Sequence, residues 1–179
     1  AHVCFILTGI SGYSHAGASS ATFFVLVYLF SNLAAFAVAG IISSASGKET
    51  IDDYKSFYRT NPLLSWGMAT ALFSLAGIPP TAGFFGKFFL LTAGAGKGNY
   101  VLITIAALNM IISLYYYLRI VRAMFMDKNE NVICPVNLTF NERISIILCI
   151  AGILLSGLWN APFNIIHHSV TETLLITAF

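Results

Sequence analysis

Leu75-Ala76-Gly77-Ile78-Pro79-Pro80-Thr81-Ala82-Gly83-Phe84-Phe85-Gly86-Lys87-Phe88-Phe89-Leu90 places two prolines, three glycines and one lysine inside an otherwise oily run. The run belongs to a longer apolar segment, Pro62 to about Ala95. As one continuous helix rising about 1.5 Å per residue, that segment would be near 50 Å long. A hydrocarbon core is only about 30 Å thick, so even a generous tilt leaves the helix too long. Something must break it. Pro79 and Pro80 each lack an N–H, which deprives the carbonyls of Leu75 and Ala76 of their helical partners, and Gly77 and Gly83 accept backbone angles that other residues resist. The stretch predicts two half-helices, Leu63 to about Ala76 and about Ala82 to Leu91, joined by a non-helical link near mid-membrane.

Composition sets the class around this segment. Hydrophobic residues make up 58% of the chain and charged residues 9%, with a mean hydropathy of +0.82, whereas an ordinary soluble domain carries roughly 25% charged residues. The expected fold is all-α, a polytopic bundle of about five transmembrane helices, one of them discontinuous. The segments are 1–13, 19–44, 62–95 broken near 77–83, 100–125 and 144–166, in a single membrane domain over 1–179. Their length and lack of strict alternation argue against strands, and lipid admits only helices or closed barrels. The first segment is short for a complete span and opens without a methionine, so the chain is expected to be the C-terminal part of something larger.

The cations give an orientation. With loops assigned alternately to two faces, Lys48, Lys55, Arg59, Arg119, Arg122, Lys128 and Arg143 fall on one face and only Lys97 on the other. The first face is expected to be cytoplasmic or its organellar equivalent, leaving the C-terminus with His167 and His168 outside.

Chemistry is sparse. Cys4, Cys149 and Cys134 are scattered, without disulfide or metal-ligand spacing. There is no Gly-rich nucleotide loop, no pair of carboxylates within a span and no His/Glu metal signature. Lys87 is the one formal charge well within a span. A charge at the bilayer centre costs roughly 2.5–3.5 kcal/mol on insertion scales, and such groups face protein or a water-filled cavity. Headgroups are too distant for Lys87 to reach by snorkelling, since about ten residues, roughly 15 Å of helix, separate it from the loop at Lys97. The freed carbonyls beside the break offer it partial charges instead, as unwound helices do in transporters. A desolvated ammonium there is a candidate for taking up and releasing a proton.

Weaker polar stripes lie nearby. Tyr28, Ser31 and Asn32 fall at i, i+3 and i+4 on the second helix, and Asn109, Ser113 and Tyr116 or Tyr117 continue a similar stripe on the fourth. Either a hydrogen-bonded water path or simple helix packing accounts for them. The run Tyr115-Tyr116-Tyr117 beside Arg119 is expected to form an interfacial belt.

The run Ser74 to Phe88, preceded by Val27-Tyr28-Leu29-Phe30-Ser31-Asn32-Leu33-Ala34-Ala35-Phe36-Ala37 and followed by Ser113-Leu114-Tyr115-Tyr116-Tyr117-Leu118-Arg119, resembles the subunit N (chain 2) family of proton-pumping NADH:quinone oxidoreductase. The resemblance covers nearly the whole chain and is weakest from Asp127 to Asn141 and at the C-terminus. It implies the last five helices of a fourteen-helix antiporter-like fold with inverted repeats, and it places Lys87 on the lysine of the second broken helix, a proton-translocating residue. Sister subunits and multisubunit sodium/proton antiporters often carry His and Lys where this chain has Tyr28 and Asn32, which favours subunit N. The resemblance also implies that NADH, FMN, iron-sulfur clusters and quinone are handled by partner subunits, with none in this chain. The expected partners are other membrane-arm subunits of complex I, the lipid bilayer and protons, and not nucleic acid. A subunit of a cation/proton antiporter and a purely structural membrane-arm subunit are the alternatives.

Overall fold

A computed structural model of the chain describes residues 2–11, 14–96, 98, 100–128, 132–158 and 163–170. Among these, six α-helices run in order: α1 His2–Ile10, α2 His15–Ser46, α3 Pro62–Ala76, α4 Ala82–Ala95, α5 Tyr100–Phe125 and α6 Phe140–Leu158. Residues 163–170 are also helical. Three of them, α2, α5 and α6, are long and apolar enough to cross a membrane, while α3 and α4 are shorter apolar pieces. The described residues contain no strand.

Local chemistry sets the helix ends. α2 starts at His15, four residues before the expected Ser19, because the Ser14 hydroxyl accepts the Gly17 N–H at 3.1 Å and caps the first turn. Pro62 occupies the first turn of α3, where its missing N–H costs nothing. α6 begins at Phe140 rather than near Ile144, because the Glu142 carboxylate accepts both the backbone N–H and the hydroxyl of Thr139 at 2.8 Å. α4 continues to Ala95, beyond Leu91. The expected fifth span reached about Ile166; α6 is described as Phe140–Leu158, and residues 159–162 lie outside the described ones.

The long helix α2 is the spine, touching α1, α3, α4 and α6. Ala34 of α2, Ala71 of α3 and Ile153 of α6 meet in one small apolar contact. A larger core fills the bundle end nearest residues 51–59, where Val38, Ile42, Phe57, Leu64 and Met124 are buried together. Facing outward are Phe36 of α2, Val101 and Ile111 of α5 and Leu148 of α6, as suits helices whose solvent is hydrocarbon.

At that end the loop following α5 is fastened to the start of α3 by one amide. The buried Asn61 donates through Nδ2 to the carbonyl of Cys134 at 3.2 Å, and its Oδ1 accepts the Val136 N–H at 2.8 Å. Ser56 adds a second tie, its hydroxyl donating to the Asp127 carbonyl at 3.0 Å. Asn61→Ala strands both loop groups, at about 1–3 kcal/mol. A fall of several degrees in the thermal unfolding midpoint of the detergent-purified protein is expected, and an unchanged midpoint rules the fastening out.

Candidate functional site

The interruption between α3 and α4 makes the site. α3 ends on Gly77 at φ 84°, a left-handed angle that glycine adopts without steric cost, and the Gly77 N–H donates back to Phe73 and Ser74. Pro79 and Pro80 follow, exposed, and Thr81 turns the chain into α4 with its hydroxyl donating to the Ile78 carbonyl at 2.7 Å. Because Gly83 has no side chain, α4 folds back tightly on α3: a Cβ there would overlap the Ser74 carbonyl.

Lys87, on the second turn of α4, reaches back across this break. Its Nζ donates to the carbonyls of Leu75 at 2.7 Å and Ala76 at 3.0 Å. The residue is 1% exposed, so it does not snorkel. The Phe5 ring of α1 lies 5.2 Å from Nζ, within the range of a cation–π contact. Among the described residues Lys87 forms no salt bridge. Backbone dipoles and a ring face therefore hold the ammonium, and no carboxylate fixes its charge.

Beside Lys87 is a cavity of about 10 Å³, lined among others by His2, Tyr28, Ser31, Ser74 and Gly83. That is at the lower bound for one water, which needs two to four polar partners. The partners are present. Ser31 of α2 donates its hydroxyl to Ser74 of α3 at 2.7 Å, and Nδ1 of His2 is buried with no hydrogen-bond partner among the described residues. His2 Nε2 lies 3.1 Å from the hydroxyl of Tyr117, and the imidazole packs against Tyr28 at 4.6 Å between ring centres. Lys87, a hydroxyl pair, an imidazole and a phenol thus form one polar cluster joining α1, α2, α3, α4 and α5.

The candidates from the sequence divide at this cluster. Lys87, Tyr28, Ser31, Gly77 and Gly83 come together, and Pro79 and Pro80 form the link above them. Asn32 does not join, since its amide donates to the Tyr28 carbonyl within α2 at 2.8 Å. Ser113 bonds to Met110 of its own helix at 2.9 Å, and neither it nor Asn109 lines the cavity. Tyr117 lies four residues beyond the buried Ser113, on the same inward face, and meets His2. His2 and Ser74 are what the sequence reading missed, while Tyr117 is one of the two tyrosines it placed on the stripe with Ser113. The available signal for His2 was its i, i+3 pairing with Phe5 on an apolar helix.

Fold and site define a class: a membrane-helix bundle built around a discontinuous helix whose freed carbonyls hold a buried ammonium. The chain belongs to the NADH:quinone oxidoreductase/Mrp antiporter transmembrane family, whose model matches residues 1–113. It is 44% identical over 165 residues to NADH-quinone oxidoreductase subunit N of Azobacteroides pseudotrichonymphae, covering 91% of this chain and 34% of that protein. It spans about a third of the length of the curated relatives it matches. Its fold resembles a chain of respiratory complex I from Thermus thermophilus, with a TM-score of 0.84, 21% identity and coverage of 96% of this chain and 36% of that one. A chain of the Mrp complex from Dietzia sp. is also similar, with a TM-score of 0.79, 19% identity and coverage of 93% and 39%.

Proposed function

We propose that the chain is a proton-translocating membrane subunit of NADH:quinone oxidoreductase of the subunit N type, moving protons by way of Lys87. The observation that carries this is the buried ammonium held by the Leu75 and Ala76 carbonyls, with no salt bridge among the described residues, next to a water-sized polar cavity. A lysine held by dipoles can exchange its proton without breaking an ion pair. Quinone reduction elsewhere in the complex shifts charge along the membrane arm, and Lys87 then loses or gains its proton through the cluster. NADH, FMN, iron-sulfur clusters and quinone act in partner subunits, and this chain performs no redox chemistry. It sits in an energy-transducing membrane among the other membrane-arm subunits, with its C-terminus on the outer side, as the bias of Lys and Arg supports.

A cation/proton antiporter subunit is the second reading, favoured by the shared fold with the Mrp complex chain. The 44% identity to a subunit N over most of the chain supports the first. The test is proton uptake by sealed vesicles holding the full complex with Lys87→Ala, measured beside NADH oxidation. Unchanged uptake at normal assembly overturns the reading.

His2 carries the path from Lys87 toward Tyr117. His2→Phe keeps the ring against Tyr28 but removes both nitrogens, so uptake by the same vesicles is expected to fall several-fold with assembly intact. Wild-type uptake in that variant takes His2 off the path.

A further inference from the structure

A second feature lies along α5, and none of its lining residues borders the Lys87 cavity. It is a groove of about 910 Å³, bounded by α5, by Phe73 of α3 and by the turn containing Ile51 and Lys55. Its volume is near the top of the roughly 300–1,000 Å³ range of sites that enclose small molecules. Its chemistry changes along its length. Phe73, Ile111, Leu114 and Leu118 line an apolar stretch, and Lys55, Arg119 and Arg122 stand beyond it, with further apolar lining from Phe125 and Met126. From Ile111 to Arg122 the groove follows about three turns of helix, roughly 16 Å.

The charges there do not cancel. Asp52 lies 2.6 Å from Lys55, and Asp127 lies 3.4 Å from Arg122, so among the described residues that line the groove three cations face two carboxylates. Arg119 is the cation left over, exposed and without an ion pair among the described residues. A cation in excess beside an apolar trough is the complement of an amphiphile with an acidic head.

We propose that this groove binds one acidic phospholipid, its phosphate on Arg119 and an acyl chain along Ile111, Leu114 and Leu118. Basic pockets between membrane helices recognise acidic headgroups in this way. The planar guanidinium can give a phosphate two parallel hydrogen bonds. A soluble anion would have no use for the trough. A zwitterionic lipid brings no net charge to match the leftover cation, and an apolar protein helix laid in the groove would cover Arg119 without pairing it.

The intact complex is reconstituted in phosphatidylcholine nanodiscs containing a little phosphatidylglycerol with a photoreactive acyl chain, and labelled peptides are mapped by mass spectrometry. Labelling is expected on the segment Ile111 to Leu118. Arg119→Gln should lower it about fivefold, the effect of one near-surface cationic contact. A phosphatidylcholine probe should label this segment no more than it labels the exposed Leu148 and Leu155 of α6. Equal labelling by the two probes, or labelling indifferent to Arg119→Gln, overturns the proposal. So does an absence of labelling on this segment, the result expected when another stretch of polypeptide fills the groove.

Discussion

Replacing Lys87 by alanine is expected to slow proton movement through this chain roughly tenfold or more, while the complex still assembles and still oxidises NADH. A positioned proton-transfer group contributes roughly 10²–10⁴-fold, and about 1.4 kcal/mol added to the barrier already costs tenfold. Assembly survives because two effects oppose each other. Loss of the ammonium leaves the Leu75 and Ala76 carbonyls without a donor, at about 1–3 kcal/mol each. It also removes a charge from membrane depth, which is itself costly there. Lys87→Arg separates the relay from a merely structural role. Arginine restores charge and donors to the two carbonyls, but its guanidinium does not give up a proton under any working condition. Arg is therefore expected to restore stability and leave translocation as low as Ala does. The measurements are proton uptake by sealed vesicles, NADH oxidation, and the amount of assembled complex on native gels. Recovery of uptake by Arg overturns the relay and leaves Lys87 a structural donor.

The break was legible because its causes are local. Two adjacent prolines remove hydrogen bonds whatever surrounds them, and a glycine at the end of α3 supplies the left-handed turn the chain needs there. That Lys87 would face protein followed from its place within the span, and the residue is 1% exposed. The cluster around it was not legible, because periodicity says which residues share a face and not which helix that face meets. Tyr28, Ser31 and Asn32 all satisfy the same spacing, yet Ser31 reaches Ser74 while Asn32 turns back onto its own helix. Spacing from Ser113 allowed either Tyr116 or Tyr117 as the inward one, and Tyr117 is the one that meets His2. His2 was hidden more deeply. Its importance comes from α1 packing against α2, α4 and α5 together, a long-range arrangement that no nine-residue helix encodes by itself. What only the packed bundle shows is that an imidazole and two hydroxyls border the same cavity as the lysine.

Position matters as much as the presence of these groups, and this leads to the second large effect. The Lys87 ammonium meets Leu75 and Ala76 only because α4 folds back closely on the end of α3. Gly83 permits that approach, since a Cβ in its place would overlap the Ser74 carbonyl. The obstacle is backbone, so no side-chain rotation relieves it, and α4 must move. Ser74 also carries the hydroxyl that accepts from Ser31, so the displacement reaches α2 as well. On the far side, Gly157 of α6 presses on the link itself: a Cβ there would lie 2.6 Å from the Ala82 nitrogen. The break is thus held between α2 and α6 and has little room to yield. Gly83→Ala is expected to destabilise the bundle by the 1–3 kcal/mol or more typical of overpacking, and to reduce assembled complex severely. Gly86→Ala, one turn later, is the control, because its nearest neighbour is the side chain of Phe24 at 3.1 Å, which can rotate away in part. Native-gel yield and thermal midpoint in detergent should rank wild type, then Gly86→Ala, then Gly83→Ala well below both. Whatever Gly83→Ala complex does assemble should translocate protons poorly, since its ammonium no longer sits on the two carbonyls. Near-normal translocation per assembled complex would show that the proton path does not depend on the break being held in this geometry.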